Sequence, residues 1–87
     1  MDTTFLLLYR FKKPVIELSE ICDEFFGIKI QTAKQRAEAQ RLPVPTFRLT
    51  AKNSSPWLVA VDDLAAHIDN QQKKARNEWD AVRGFVS

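Results

Sequence analysis

Apolar positions along the chain change rhythm several times, and each change marks the edge of an element. Leu18, Ile21, Cys22, Phe25 and Phe26 recur at i, i+3, i+4, i+7 and i+8, the spacing that lays one dense apolar stripe along a short helix. Ser19 is placed as its N-cap, with Glu20 and Asp23 in the first turn, and Gly27 is placed to end it. A second helix is predicted from about Ile30 to Arg41, with Ile30, Ala33 and Ala37 on its inner side. At 100° per residue, Thr32, Gln35, Arg36 and Ala39 fall on the outer side, with Gln31 and Lys29 at its margins. Pro43 and Pro45 remove backbone donors and force extended geometry, so this helix stops by Leu42.

The rhythm then shifts to alternation. Thr46 to Thr50 places Phe47 and Leu49 on one face and Thr46, Arg48 and Thr50 on the other, as expected of a half-buried strand. Ala51 to Ser55 supplies a turn, and Pro56 precedes a return strand in which Trp57, Val59 and Val61 share a face. Asp62 is expected to cap a last helix of roughly 20 residues, about 30 Å long. Its stripe is Leu64, Ala65, Ile68, Gln72, Ala75, Trp79 and Val82. Ahead of all this, the run from Thr4 to Phe11, closed by Lys12, Lys13 and Pro14, reads as an added N-terminal strand, and Val15 to Leu18 as a second short one.

The sum is an α+β chain with the order of a small winged helix-turn-helix, carrying an N-terminal strand and an extended C-terminal helix. With 87 residues and 45% apolar content it is expected to form one domain, residues 14–70 being the core and 71–87 a helical extension. A polar second helix beside a basic hairpin suits the major groove of DNA.

Net charge is only +2, so distribution matters more than total. Lys29, Lys34, Arg36, Arg41, Arg48 and Lys52 lie in a stretch whose single acid is Glu38, whereas Glu17 to Glu24 is acidic. Gln35 and Arg36 carry the paired donors and acceptors that read adenine and guanine edges, and Thr32 adds a hydroxyl or methyl contact. The candidate DNA-binding set is therefore Lys29, Gln31, Thr32, Gln35, Arg36, Arg41, Arg48 and Lys52, with Lys29, Arg41, Arg48 and Lys52 on phosphate. Lys34 is read as lying beside the core. Asn53, Ser54 and Ser55 are candidates for backbone contact at the hairpin tip, or simple turn formers.

Other chemistries find no constellation. His67 is the only histidine and is expected at the surface, turned from the apolar stripe; Cys22, the only cysteine, lies on a core stripe and is expected buried and inert. Asp62 and Asp63 suit a helix start better than a carboxylate pair, and with Gly27 and Gly84 as the only glycines no glycine-rich phosphate loop can form. No catalytic residue, metal site or cofactor is implied. The run Phe5 to Tyr9 is far short of the roughly 20 residues of a membrane span, and nothing resembles a secretory signal, so a cytoplasmic location is expected.

Lys73, Lys74, Arg76 and Arg83 are mixed with Glu78 and Asp80, as on an exposed helix surface. Val61, Ile68, Ala75 and Val82 are spaced by sevens, and Trp79 needs a covering surface. A homodimer is the expectation, and the alternative is that Trp79, Val82 and Phe85 fold back on the Phe5 to Phe11 segment.

The opening Thr4-Phe5-Leu6-Leu7 and Val15-Ile16-Glu17-Leu18, running into Ile21-Cys22-Asp23-Glu24-Phe25-Phe26, resembles the pyocin activator family. These are PrtN-like regulators of phage-tail bacteriocin and prophage genes. Leu42-Pro43-Val44-Pro45, Phe47-Arg48-Leu49 and Val61-Asp62-Asp63-Leu64-Ala65 with Ile68-Asp69 keep that family's order over nearly the whole chain. The centre is also similar to the wider excisionase and AlpA-like group, although Lys52-Asn53-Ser54-Ser55 lacks the glycine and arginine common in AlpA-like wings. The resemblance implies a winged-helix transcriptional activator that binds double-stranded DNA, with RNA polymerase as a candidate contact. An excisionase-like DNA-bending protein is the first alternative reading, and a winged-helix protein-interaction module the second.

Overall fold

The computed structural model describes residues 2–52 and 54–86. Four helices and a two-stranded antiparallel sheet follow in the order α1 (Thr3–Phe11), β1 (Val15–Glu17), α2 (Leu18–Phe26), α3 (Ile30–Glu38), β2 (Leu58–Ala60) and α4 (Val61–Val86). The fold is α+β. Its two strands pair Val15 with Ala60, Ile16 with Val59 and Glu17 with Leu58. This pairing joins the two ends of the helical core. At its margins the Leu18 N–H donates to the Trp57 carbonyl at 2.9 Å and the Val61 N–H to the Pro14 carbonyl at 2.9 Å. The first donors of α2 and α4 are thus satisfied by the chain crossing beside them.

Around the sheet the core gathers Ile16, Leu18, Ile21, Val59, Val61 and Leu64, all fully buried. Cys22 is buried among them, as its place on the stripe requires. Gly27 ends α2 in the left-handed conformation at φ +67°, with its N–H on the Asp23 carbonyl at 3.0 Å. Glu17 rather than Ser19 stands at the N-cap of α2, and its N–H donates to the Glu20 carboxylate at 3.1 Å. The capping signal lay two residues earlier than the serine suggested, because β1 runs directly into the helix.

The N-terminal segment corrects the sequence reading outright: Thr3 to Phe11 is a helix, not a strand. Asp2 caps it, its carboxylate accepting from the Thr4 N–H at 3.1 Å. Thr4, Leu7 and Phe11 turn inward while Phe5, Leu6, Leu8 and Tyr9 stay exposed, a helical period that the nearly continuous apolar run conceals. The helix ends at Lys12, which is left-handed at φ 64°. It rests on α4, where the Thr3 hydroxyl donates to the Asp69 carboxylate at 2.6 Å. Ion pairs tie it to α2: Arg10 with Glu24, and Lys13 with Glu20 at 2.8 Å.

Two more elements depart from expectation. The segment 46–50 forms no strand; it contributes a single antiparallel bridge, Phe47 to Leu58. Thr46 is buried and Leu49 is 77% exposed, so the alternation inferred from Phe47 and Leu49 fails after one residue, and the paired strand of β2 is β1, on its other edge. The last helix begins at Val61, with Asp62 and Asp63 in its first turn rather than Asp62 at the cap, and it runs for 26 residues. His67, expected to point outward, is half-buried with its ring 5.7 Å from that of Phe26. No helix among the described residues is long and apolar enough to cross a membrane.

Two outcomes test this account. Nothing lies within 4 Å of a Cβ built on Gly27, so Gly27→Ala meets only the backbone cost of a left-handed residue, and denaturant titration should show a loss of about 1 kcal/mol. The Arg10 hydrogen bond holds the Glu24 carboxyl below the ordinary glutamate range, and the Lys13 hydrogen bond does the same for Glu20. Depressed carboxylates stabilise above their unfolded pKa, and that contribution is lost as pH falls through the lowered values. The pair Glu20→Gln and Glu24→Gln should flatten the acid limb of a pH–stability curve measured in urea.

Candidate nucleic-acid interface

The orientation of α3 follows from its two alanines. Ala33 and Ala37 are fully buried, and with only a methyl group each they let α3 lie close on α2. That contact fixes the rest of the wheel. Gln35 stands opposite the buried edge, and Gln31, Gln35 and Arg36 are exposed while Thr32 is half-buried. Lys29 occupies the N-cap with no side-chain hydrogen bond to the helix, and its side chain is exposed.

The helix is shorter than expected, ending at Glu38. Gln40 is left-handed at φ 56°, and the Arg41 N–H reaches back to the Arg36 carbonyl at 2.8 Å. This is the reversal that commonly closes a helix on glycine or asparagine. It stops α3 before the prolines can, and leaves Arg41 exposed just beyond the helix rather than on its last turn.

One flank of α3 faces the hairpin. Lys34 and Glu38, one turn apart, line a cleft of about 310 Å³ together with Ser19 at the start of α2, Ser54, Arg48 and Trp57. The Arg48 guanidinium lies 4.6 Å from the centre of the Trp57 ring, a cation–π contact that restrains an otherwise long, loose side chain. The hairpin tip is drawn in by the Ser55 N–H, which donates to the Lys52 carbonyl at 3.0 Å. The Lys52 side chain is exposed outside the cleft, and Asn53 lies outside the described residues.

The eight candidates therefore divide by position. Gln31 and Gln35 occupy the outer edge of α3, Thr32 and Arg36 the flank away from the hairpin, and Arg48 the flank toward it. Lys29 and Arg41 bracket the helix. Lys34 was set beside the core on sequence, yet it is exposed and lines the cleft. Its signal was the four-residue step from Ile30, which also lines the cleft. Ser19 was assigned to capping and is instead part of the cleft wall.

Charge is partitioned in the same sense. Among the described residues, the ion pairs formed are those of Arg10 and Lys13 with the acids of α2. Among the described residues, no candidate cation of α3 or of residues 46–56 forms such an ion pair with a carboxylate.

The family described as pyocin activator protein PrtN matches residues 3–75, from the first turn of α1 to the middle of α4. The chain belongs to the pyocin activator family. No curated protein and no solved structure matches it. Within the family match fall the whole of α3, the cleft and the hairpin, while the last turns of α4 lie beyond it.

The close approach of α3 to α2 can be tested directly. Ala37→Leu adds bulk where no space is left, and thermal or chemical unfolding should show a loss of about 1 to 3 kcal/mol. An unchanged stability would mean that the two helices are not in the contact described.

Proposed function

We propose that this chain is a sequence-specific DNA-binding transcriptional activator of phage-derived pyocin genes, acting in the cytoplasm through a winged helix-turn-helix. In this reading α2 and α3 form the helix-turn-helix and residues 46–60 the wing. The observation that carries it is the two-sidedness of α3: an alanine edge closed on α2, and an outer edge of Gln31, Gln35 and Arg36 left to solvent. A helix whose only apolar side chains are spent on a neighbour, and whose outer side chains have long polar arms, presents donors and acceptors to base edges in a major groove.

The flanks then meet the sugar–phosphate backbone. Arg48 and Lys34 serve one side of the helix, with the hydroxyls of Ser19 and Ser54 close by, and Lys29, Arg41 and Lys52 hold the outer margins. Such contacts fix register without reading sequence. Membership of a family named for activation supports regulation rather than catalysis, and RNA polymerase is the partner that activation requires.

Binding should divide by residue when titrated on a duplex obtained by footprinting the neighbouring promoters. Arg36→Ala should cost roughly 1 to 3 kcal/mol on the cognate site and relax its preference, whereas Lys52→Ala should weaken cognate and random duplexes alike and lower the salt slope by about 1. If both substitutions reduce affinity equally on cognate and random DNA, the division of labour is wrong. If neither does, the interface is elsewhere.

A further inference from the structure

Past Asp69, whose carboxylate still accepts from the Thr3 hydroxyl, the last helix leaves the rest of the chain. Every residue from Asp69 to Arg83 is exposed, and the molecule is drawn out to 57 Å along one axis against 27 and 16 Å across. A lone helix of about 15 residues is marginal in water, because most helical stability in proteins comes from packing an apolar face. This segment has such a face, and among the described residues no other element covers it; its own Arg83 guanidinium lies 4.6 Å from the centre of the Trp79 ring. Ala75, Trp79 and Val82 continue the line of Val61, Ala65 and Ile68, and Trp79 and Val82 remain 55% and 64% exposed. Folding back of those two side chains onto α1 is therefore not what occurs. Along the face runs an open trough of about 720 Å³, lined by Asp69, Gln72, Lys73, Ala75, Arg76 and Trp79.

The charges identify what fills it. From N- to C-terminus they read Asp69, then Lys73, Lys74 and Arg76, then Glu78 and Asp80, then Arg83. Reversing the direction and inverting the signs returns nearly the same pattern, centred at Arg76. A second copy running antiparallel about that centre sets Lys74 opposite Glu78 and Asp69 opposite Arg83, twice over by symmetry. A parallel copy would stack the basic stretch on itself. The antiparallel offset also lays each Trp79 over the partner's trough between Gln72 and Arg76, where the small Ala75 leaves room. Near the axis Arg76 meets its own copy, and Asp80, one turn along the same flank, offsets that charge.

We infer that the distal half of α4 is a dimerisation element, in which two copies pair antiparallel about Arg76 and each seats Trp79 in the trough of the other. The paired contact is isologous, as a closed two-fold dimer requires. It holds the two cores apart, with the Ala65 positions about 33 Å from each other along the pair at 1.5 Å per residue. That is the scale of one turn of DNA, roughly 34 Å, which separates half-sites for dimeric helix-turn-helix proteins. The association does not depend on the DNA reading, and its test uses no DNA.

Sedimentation of the full chain is expected to show a dimer, and Trp79→Ala to raise its dissociation constant by at least about tenfold while leaving the unfolding transition of the core in place. Trp79 is exposed in the single chain, so the substitution does not act through misfolding. Orientation is read by disulfide formation in a Cys22→Ala background. Ala75→Cys, close to the axis, should link to its own copy. Val82→Cys, about 18 Å from its copy along an antiparallel pair, should not, yet it should link when mixed with Gln72→Cys. The proposal is overturned by a chain that sediments as a monomer at every concentration, by a dimer indifferent to Trp79→Ala, by self-linking of Val82→Cys, or by an Ala75→Cys dimer that fails to link.

Discussion

The contact of α3 with α2 through Ala33 and Ala37 governs everything that the interface can be. Both residues are fully buried, and because neither side chain reaches beyond its β-carbon, α3 contributes no long side chain at these two positions to its contact with α2. The two alanines mark which edge of α3 is turned to the core. Fixing two positions four residues apart fixes the azimuth of all the others, so the exposure of Gln31, Gln35 and Arg36 is a geometric consequence of the alanines. The same rotation turns Lys34 and Glu38 toward the hairpin and makes one wall of the cleft.

The sheet performs the complementary task of placing the hairpin against that helix. Three residue pairs join β1 to β2, and strands this short contribute little as a free-standing unit. Their effect comes from where they lie, between α2 and α4, with Ile16 and Val59 buried at the centre of the core. Trp57 precedes β2 and its carbonyl accepts from the first N–H of α2. That hydrogen bond puts the root of the hairpin beside Ser19, and the stacking of Arg48 on Trp57 extends the same anchor to a cation. The segment carrying Arg48 is thereby anchored to the hydrophobic core through Trp57, and through the bridge of Phe47 to Leu58.

How much of this was legible in the sequence depended on whether local pattern or tertiary context decided the element. The stripe of α2, the alanine edge of α3 and the burial of Cys22 were readable because one period fitted and no other did. The helix α1 was not, because an almost unbroken apolar run satisfies a strand and a helix equally, and only Asp2 at the cap and the inward face of Thr4, Leu7 and Phe11 separate them. Leu49 misled for a different reason. Alternation implies a strand only while a partner continues alongside, and on this edge of β2 the pairing stops after a single bridge to Phe47, with Leu49 left exposed. The end of α3 was placed by the prolines, although Gln40 closes the helix earlier by adopting a left-handed conformation that its residue type does not advertise. Of the interface, the outer face of α3 was visible from the wheel alone, whereas the inclusion of Lys34 and Ser19 required knowing which flank meets the hairpin.

The two halves of α4 obey different physics within one uninterrupted helix. Val61, Leu64 and Ala65 are buried and belong to the core; from Asp69 onward the same helix has neither a core to join nor enough intrinsic propensity to stand alone. A continuous stripe spanning both halves couples them, since the register of the distal face is inherited from the buried one. Association through that face therefore fixes the position of α4 in each core, and with it β2, the hairpin and α3. One uninterrupted helix thus closes the core at one end and presents an uncovered apolar face at the other, with no flexible linker between them.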